Sequence, residues 1–187
     1  MSIKIKRYYN CEEDFREFYN KLKQVPCPHC KLTGALILHG YLIGYDENSV
    51  NKKVVRGRRI FCNNRKRHAK GCGLTSCVLA INIIKNFCIT AKSFWCFLKN
   101  VVKLRNKREA FRIAEFPLSD SSLYRLWKRF LYCQSRIRTL LIRLSQAPKL
   151  PGTSCPAFQT IVHLESAFSH SLCPIATFQD YFQTSLL

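Results

Sequence analysis

A chain of 187 residues has room for one compact domain or two small ones, and with 47% apolar and 12% aromatic residues it carries material for a core, which excludes wholesale disorder. The formal charge of +20 is unevenly placed: all 31 Lys and Arg, with nine of the eleven acids, precede residue 150, a local +22, and residues 150–187 hold only Glu165 and Asp180. A surface so positive draws polyanions, because each neutralised phosphate releases counterions; nucleic acid therefore ranks ahead of a merely solvated basic face or a membrane-surface role.

At the N-terminus Lys4, Lys6 and Arg7 interrupt the only stretch that could serve as a secretory signal, so the expectation is a cytoplasmic protein. The first element is a short helix over 11–24, where Phe15, Phe18, Tyr19 and Leu22 share helical spacing and Glu12, Glu13 and Asp14 sit at the positive end of the dipole. Pro26 and Pro28 stop it. Residues 31–45, broken by Gly34, Gly40 and Gly44, read as a strand or twisted hairpin, 46–51 as a loop, and 53–62 as a second strand. A basic loop, 63–71, follows. Residues 74–86 are apolar, and periodicity alone does not choose between strand and helix.

From Thr90 the pattern is helical. Phe94, Trp95, Leu98, Val101 and Val102 line a first helix, and Ala110, Phe111, Ile113 and Ala114 a second that ends near Pro117. A third starts from Ser119 or Asp120 as N-cap and runs to about Ser145, with Leu123, Phe130, Ile137 and Leu144 spaced by seven and Leu126, Trp127, Leu140 and Leu141 beside them. Pro148, Pro151 and Pro156 mark a boundary before an acidic, loosely helical tail. The longest uncharged runs, 32–45 and 150–164, fall short of the roughly 20 residues that span a bilayer, so no membrane is expected.

Eleven cysteines in a reducing compartment call for metal ligation or burial rather than pairing. Cys27-Pro28-His29-Cys30 supplies half of a tetrahedral zinc site, two thiols held in a Pro-fixed turn. Cys62 and Cys72 are the best second pair, Cys72 being flanked by Gly71 and Gly73, although nine residues separate the two where a knuckle has two to four; His68 and Cys77 are substitutes for the later positions. Four protein ligands make such a zinc structural and leave no place for an activated water. A dithiol oxidoreductase is the competing use of CPHC, but it needs a helix after the motif, where a β-rich run stands instead. No HExxH pair exists, and His29 beside Cys30 has no general base near it in the sequence, so no catalytic residues are assigned.

Residues 107–115, a turn at 116–118 and the helix from Ser119 have the outline of a helix-turn-helix. Ser121, Ser122, Arg125, Lys128 and Arg129 lie early in its second helix and off the apolar stripe, where they would meet bases and phosphates; Arg129, Arg136 and Arg143 extend the charge at intervals of seven. Arg56, Arg58 and Arg59 on the basic strand and Arg65, Lys66 and Arg67 on the loop complete the candidate DNA-binding set. The other uses of the 119–145 helix are a solvated basic face or a homodimer seam.

CPHC, LILHGYLIGY, RGRRIFC and GCGLTSCVL, followed by IAEFPLSDSSLYRLWKRF and QSRIRTLL, together resemble the N-terminal zinc ribbon and helix-turn-helix of insertion-sequence transposases over about residues 20–145. The resemblance implies that Cys27, Cys30, Cys62 and Cys72 hold a structural Zn²⁺ and that the helix from Ser119 contacts double-stranded transposon-end DNA. It departs from the family after residue 145: the three carboxylates of a two-metal nuclease domain have only Glu165 and Asp180 as counterparts, so no nuclease activity is expected. The fold class is α+β, a small zinc β-ribbon domain (1–86), a helical helix-turn-helix bundle (87–147) and a Pro-bounded tail (148–187). The function is sequence-directed DNA binding; the alternative is an RNA-binding or ribosome-associated zinc ribbon.

Overall fold

The computed structural model describes residues 5–49, 51–65, 70–114, 119–148 and 155–187. It is α+β, and its contacts divide it into two compact units: residues 1–45 with 51–81, and residues 46–50 with 82–187.

The first unit contains β1 (Tyr8–Tyr9), α1 (Glu12–Asn20), a 3₁₀ turn (Leu22–Gln24), β2 (Leu36–Tyr45), β3 (Lys53–Cys62) and β4 (Thr75–Ala80). Three acids in the first turn of α1 face the helix dipole, and Phe15 and Phe18 are its buried side. Asp14 anchors that end by pairing with Lys6 and accepting the Asn10 amide at 2.9 Å. Burial opposes the charge on Asp14, but these two donors outweigh it and hold the carboxyl below its ordinary value.

The four strands form one sheet in the order β1-β4-β3-β2. β2 and β3 are an antiparallel hairpin, β3 pairs β4 antiparallel from Gly57–Leu79 to Phe61–Thr75, and β1 lies parallel to β4. Backbone pairing with β3 thus decides that 75–80 is strand, a choice the side chains do not make. Tyr9, Phe15, Phe18, Leu22, Val25, Cys27, Leu36, Ile60, Cys62 and Val78 share one core between α1 and the sheet.

The second unit contains α2 (Ala91–Leu104), α3 (Lys107–Ile113), α4 (Asp120–Leu141), α5 (Pro156–Ala167) and α6 (Pro174–Phe182). Thr90 caps α2 by accepting the Ser93 amide, and the Glu47 carboxylate accepts the Thr90 amide at 2.7 Å and the Ser93 hydroxyl at 3.0 Å. Asn106 caps α3 through the amides of Arg108 and Glu109. On α4, Leu126, Phe130, Cys133, Ile137 and Leu141 are buried at i, i+3 and i+4 spacing. Their stripe is spent within the unit, against the same core as Phe94, Phe97 and Leu98 of α2 and Ile161 of α5. Among the described residues of α4, the large hydrophobics left exposed are Tyr124, Leu131 and Tyr132.

Residues 155–187, expected as part of a Pro-bounded tail, pack into the second unit. α5 and α6 belong to the second unit's core, contributing Ala157, Ile161, Leu164, Ile175 and Phe178, with Leu186 and Leu187 packed beside them. The physical reason lies in the prolines themselves: Pro156 and Pro174 stand at helix starts, where the missing amide costs nothing and the fixed φ suits the first turn. The expected turn at 116–118 lies outside the described residues. Among the described residues no helix is long and apolar enough to cross a membrane.

Candidate metal centre and basic surface

The CPHC turn folds tightly because its backbone closes on itself: the Cys27 amide donates to the Leu32 carbonyl, and the Lys31 amide donates to the Cys27 carbonyl, both at 2.9 Å. Lys31 takes a left-handed backbone (φ 63°) to complete the turn, and β2 begins five residues later. Cys62 is the last residue of β3, register partner of Leu36, so the sheet itself carries it to the knuckle.

Cys72 reaches the same place by a route that explains the long spacing. The chain leaves β3, and on its return Gly71 donates to the Asn63 carbonyl (3.1 Å), Gly73 to the Cys62 carbonyl (3.0 Å) and Cys72 to the Cys62 Sγ (3.3 Å), while Cys62 donates to Leu74 (3.0 Å). Residues 71–74 are therefore laced onto 62–63, which brings Cys72 beside Cys62 despite the nine residues between them in sequence. Gly71 is required there, since a Cβ at that position would stand 2.8 Å from the Cys62 Sγ and closer still to the Asn63 carbonyl.

The four sulfurs of Cys27, Cys30, Cys62 and Cys72 lie within 4.8 Å of one another, with Cys27–Cys72 and Cys30–Cys62 both at 3.7 Å. A tetrahedron of metal–sulfur bonds of about 2.3 Å has sulfur edges of about 3.8 Å; the donor set and its spacing fit a metal ion. Cys27 and Cys62 are buried, Cys72 half-buried and Cys30 exposed. The Leu32 amide, followed by the neighbouring thiols, lowers the Cys30 thiol to about 7, whereas burial pushes Cys62 up to about 12. Four protein donors around one point can hold an ion and rigidify the chain; they leave no open position for a reacting ligand. Cys77 is exposed on β4, outside this group, and His68 lies outside the described residues.

The basic residues divide by use. Arg56 and Arg58, expected to face a polyanion, are engaged inside the first unit. Arg56 is only 8% exposed and donates to the Tyr45 carbonyl at 3.1 Å, its stem crossing the space where a Cβ at Gly44 would stand. A shift in register between Leu42–Gly57 and Ile43–Val55 leaves Arg56 as the extra residue of a bulge, which turns it out of the alternation. Arg58 donates to Glu12 at 2.6 Å and lies over the rings of Tyr41 and Phe15. Arg59 and Arg65 are exposed, the latter over the Phe61 ring. Lys66 and Arg67 lie outside the described residues.

On α4, Ser121, Arg125, Lys128 and Arg129 are exposed and Ser122 half-buried, the two serines hydrogen-bonding to the Ser119 hydroxyl. Arg136 is diverted: its guanidinium donates to the carbonyls of Ser185 and Leu186 at 2.6 and 3.0 Å. Sequence spacing gave no sign of this use, nor of the Leu32 amide on Cys30. Compared with family models, curated proteins and solved structures, the chain matches none.

Proposed function

We propose that the protein is a non-catalytic, sequence-directed DNA-binding protein in which a structural zinc orders the β-ribbon and the exposed basic face of α4 meets duplex DNA. The observation that carries the reading is the convergence of four cysteine sulfurs within 4.8 Å in a chain of net charge +20. Thiolate donors favour zinc among the available ions, and a filled tetrahedron makes it a folding element. The convergence favours this over a dithiol oxidoreductase, which needs only two sulfurs and an accessible first thiol in CPHC; that thiol, Cys27, is 1% exposed. On α4, Ser121, Arg125, Lys128 and Arg129 point to solvent along one side, as a groove-entering helix requires. The resemblance of 20–145 to the front of insertion-sequence transposases supports the same assignment.

The test is duplex binding by the zinc-loaded chain as a function of salt. Several phosphate contacts give a steep fall in affinity as salt rises, and Arg125→Ala, Lys128→Ala and Arg129→Ala should each reduce the slope of log K against log salt by about 0.9. A flat response in the wild type would overturn the reading. The RNA-binding alternative draws on a different observation: Tyr41, Ile43, Tyr45 and Val55 are each about half exposed on the β2–β3 hairpin, with Lys53 paired to Tyr45, a surface suited to unpaired bases. Preference for single-stranded RNA over duplex DNA in direct competition would favour it.

A further inference from the structure

Between the start of α3 and the early turns of α4 lies a cavity of about 220 Å³ lined by Asn106, Lys107, Arg108, Tyr124 and Trp127. Its walls carry two chemistries. Trp127 is held in place by Phe97, edge-on at 6.3 Å, and by Phe130 at 5.7 Å, so one wall is a fixed aromatic surface. Tyr124, three residues earlier and half exposed, forms the second aromatic wall. The Lys107 ammonium stands 5.9 Å from the Trp127 ring, and the Arg108 guanidinium reaches the Tyr124 hydroxyl at 3.4 Å. The Oδ1 of Asn106 is used by two backbone amides at 3.0 and 3.2 Å, which leaves its Nδ2 to donate.

Aromatic walls alone would accept any flat apolar ring, and exposed lysines alone would attract any anion. Their combination in one cleft selects a flat ring that carries negative charge. Size narrows the choice. Cofactor and drug sites run from roughly 300 to 1,000 Å³, so this cavity takes a single ring system and not a dinucleotide.

We propose that this cleft is a subsite for one nucleobase with its phosphate, the base lying against Trp127 and Tyr124 and the phosphate meeting Lys107 and Arg108. The base can come from a mononucleotide or from an unpaired position in a strand; Tyr124 adjoins Arg125 and lies one turn from Lys128, so the subsite borders the basic face of α4. The assignment stands on the cleft's own chemistry and does not need duplex binding to be correct.

The test follows the two indole signals, of Trp95 and Trp127, in ¹⁵N-labelled zinc-loaded protein. Titration with a deoxymononucleotide should shift the Trp127 signal saturably and leave Trp95 in place. Tyr124→Ala, which removes an exposed ring, should weaken that binding about tenfold; Lys107→Gln should abolish the preference for nucleotide over nucleoside. For the strand source, a duplex with one unpaired base should bind more tightly than a perfect duplex in the wild type and equally in Tyr124→Ala. No selective Trp127 response to mononucleotide or unpaired base, or an equal response to inorganic phosphate, overturns the proposal. Salt-dependent duplex binding that persists in that event would leave the DNA reading standing.

Discussion

Arg58 and Tyr41 face each other across the β2–β3 hairpin, the guanidinium carbon 4.2 Å from the centre of the ring, with the Glu12 carboxylate at 2.6 Å closing the arrangement onto α1. The arginine side chain is 12% exposed, so its charge serves the fold. Cation–π contacts contribute about 0.5–1 kcal/mol each, and Arg58→Ala should destabilise the first unit by about 1–2 kcal/mol. Arg59→Ala, at the exposed neighbouring position, should leave stability within about 0.5 kcal/mol while weakening DNA binding. Thermal melts and duplex titrations of both variants check this, and equal melting temperatures would count against the structural role of Arg58.

Metal removal should act on the first unit alone. Ligation energy is folding energy for a small site, and the four cysteines tie the turn before β2 to the end of β3 and to the segment leading into β4. Chelation, or Cys62→Ser, should release one zinc per chain and strip hydrogen-exchange protection from β2, β3 and β4. Amides of α2 and α4, with their own aromatic core, should keep theirs. Collapse of both sets together would show that the centre supports more than the first unit.

Zinc uptake should release protons, and by how many depends on the thiols. Cys62 is protonated throughout the neutral range because burial pushes its thiol to about 12, whereas Cys30, at about 7, has lost about half its proton at pH 7. Without metal, the lowered Cys30 value adds stability that is present above its ordinary value and is lost as pH falls through about 7. The raised Cys62 value favours the fold below its ordinary value and loses that effect as pH rises towards 12. Affinity for a metal ion at these four sulfurs should fall on acidification, since protons compete for every sulfur. Calorimetry in buffers of different ionisation enthalpy counts the protons; the release should shrink between pH 6 and 8 as Cys30 ionises beforehand.

Gly71→Ala tests how residues 71–74 are laced onto 62–63. An added methyl must displace either the Asn63 carbonyl or the Cys62 sulfur, and both positions govern where Cys72 arrives. Disturbing a ligand's supports costs about 10–100-fold in metal affinity, so competition with a chromophoric chelator should place the variant in that range. Wild-type affinity would mean the loop yields without moving the sulfur.

How far these features are legible in the sequence depends on whether one residue's neighbours or distant backbone set them. The stripe of α4 is readable because Leu126, Phe130, Ile137 and Leu141 repeat at helical spacing over a 22-residue helix. CPHC is readable because its turn is local. The Cys62–Cys72 pair follows from chemistry alone, since its spacing fits no knuckle and only the lacing of 71–74 onto 62–63 explains it. β1 is two residues long and gives no period. Arg56 departs from the exposed strand face because a bulge, invisible to composition, reverses its side. The prolines misled for a simple reason: Pro ends one helix and starts another with the same ring.

The last of these reversals gives the sharpest stability test. Phe178 on α6 is fully buried and lies 4.9 Å from Phe182, ring to ring, in the core that also holds Phe94 and Phe130. Gln179 beside it donates to the Ile83 carbonyl at 3.1 Å and accepts the Leu186 amide, tying α6 to both ends of the unit. Truncating a buried Phe leaves a cavity and costs about 3–5 kcal/mol, a large share of a small domain's stability. Phe178→Ala should therefore lower the urea midpoint of α2–α4 unfolding as severely as Phe130→Ala does. A segment that merely trailed behind the bundle would leave that midpoint unchanged, and a Phe178→Ala protein indistinguishable from wild type would remove α6 from the core.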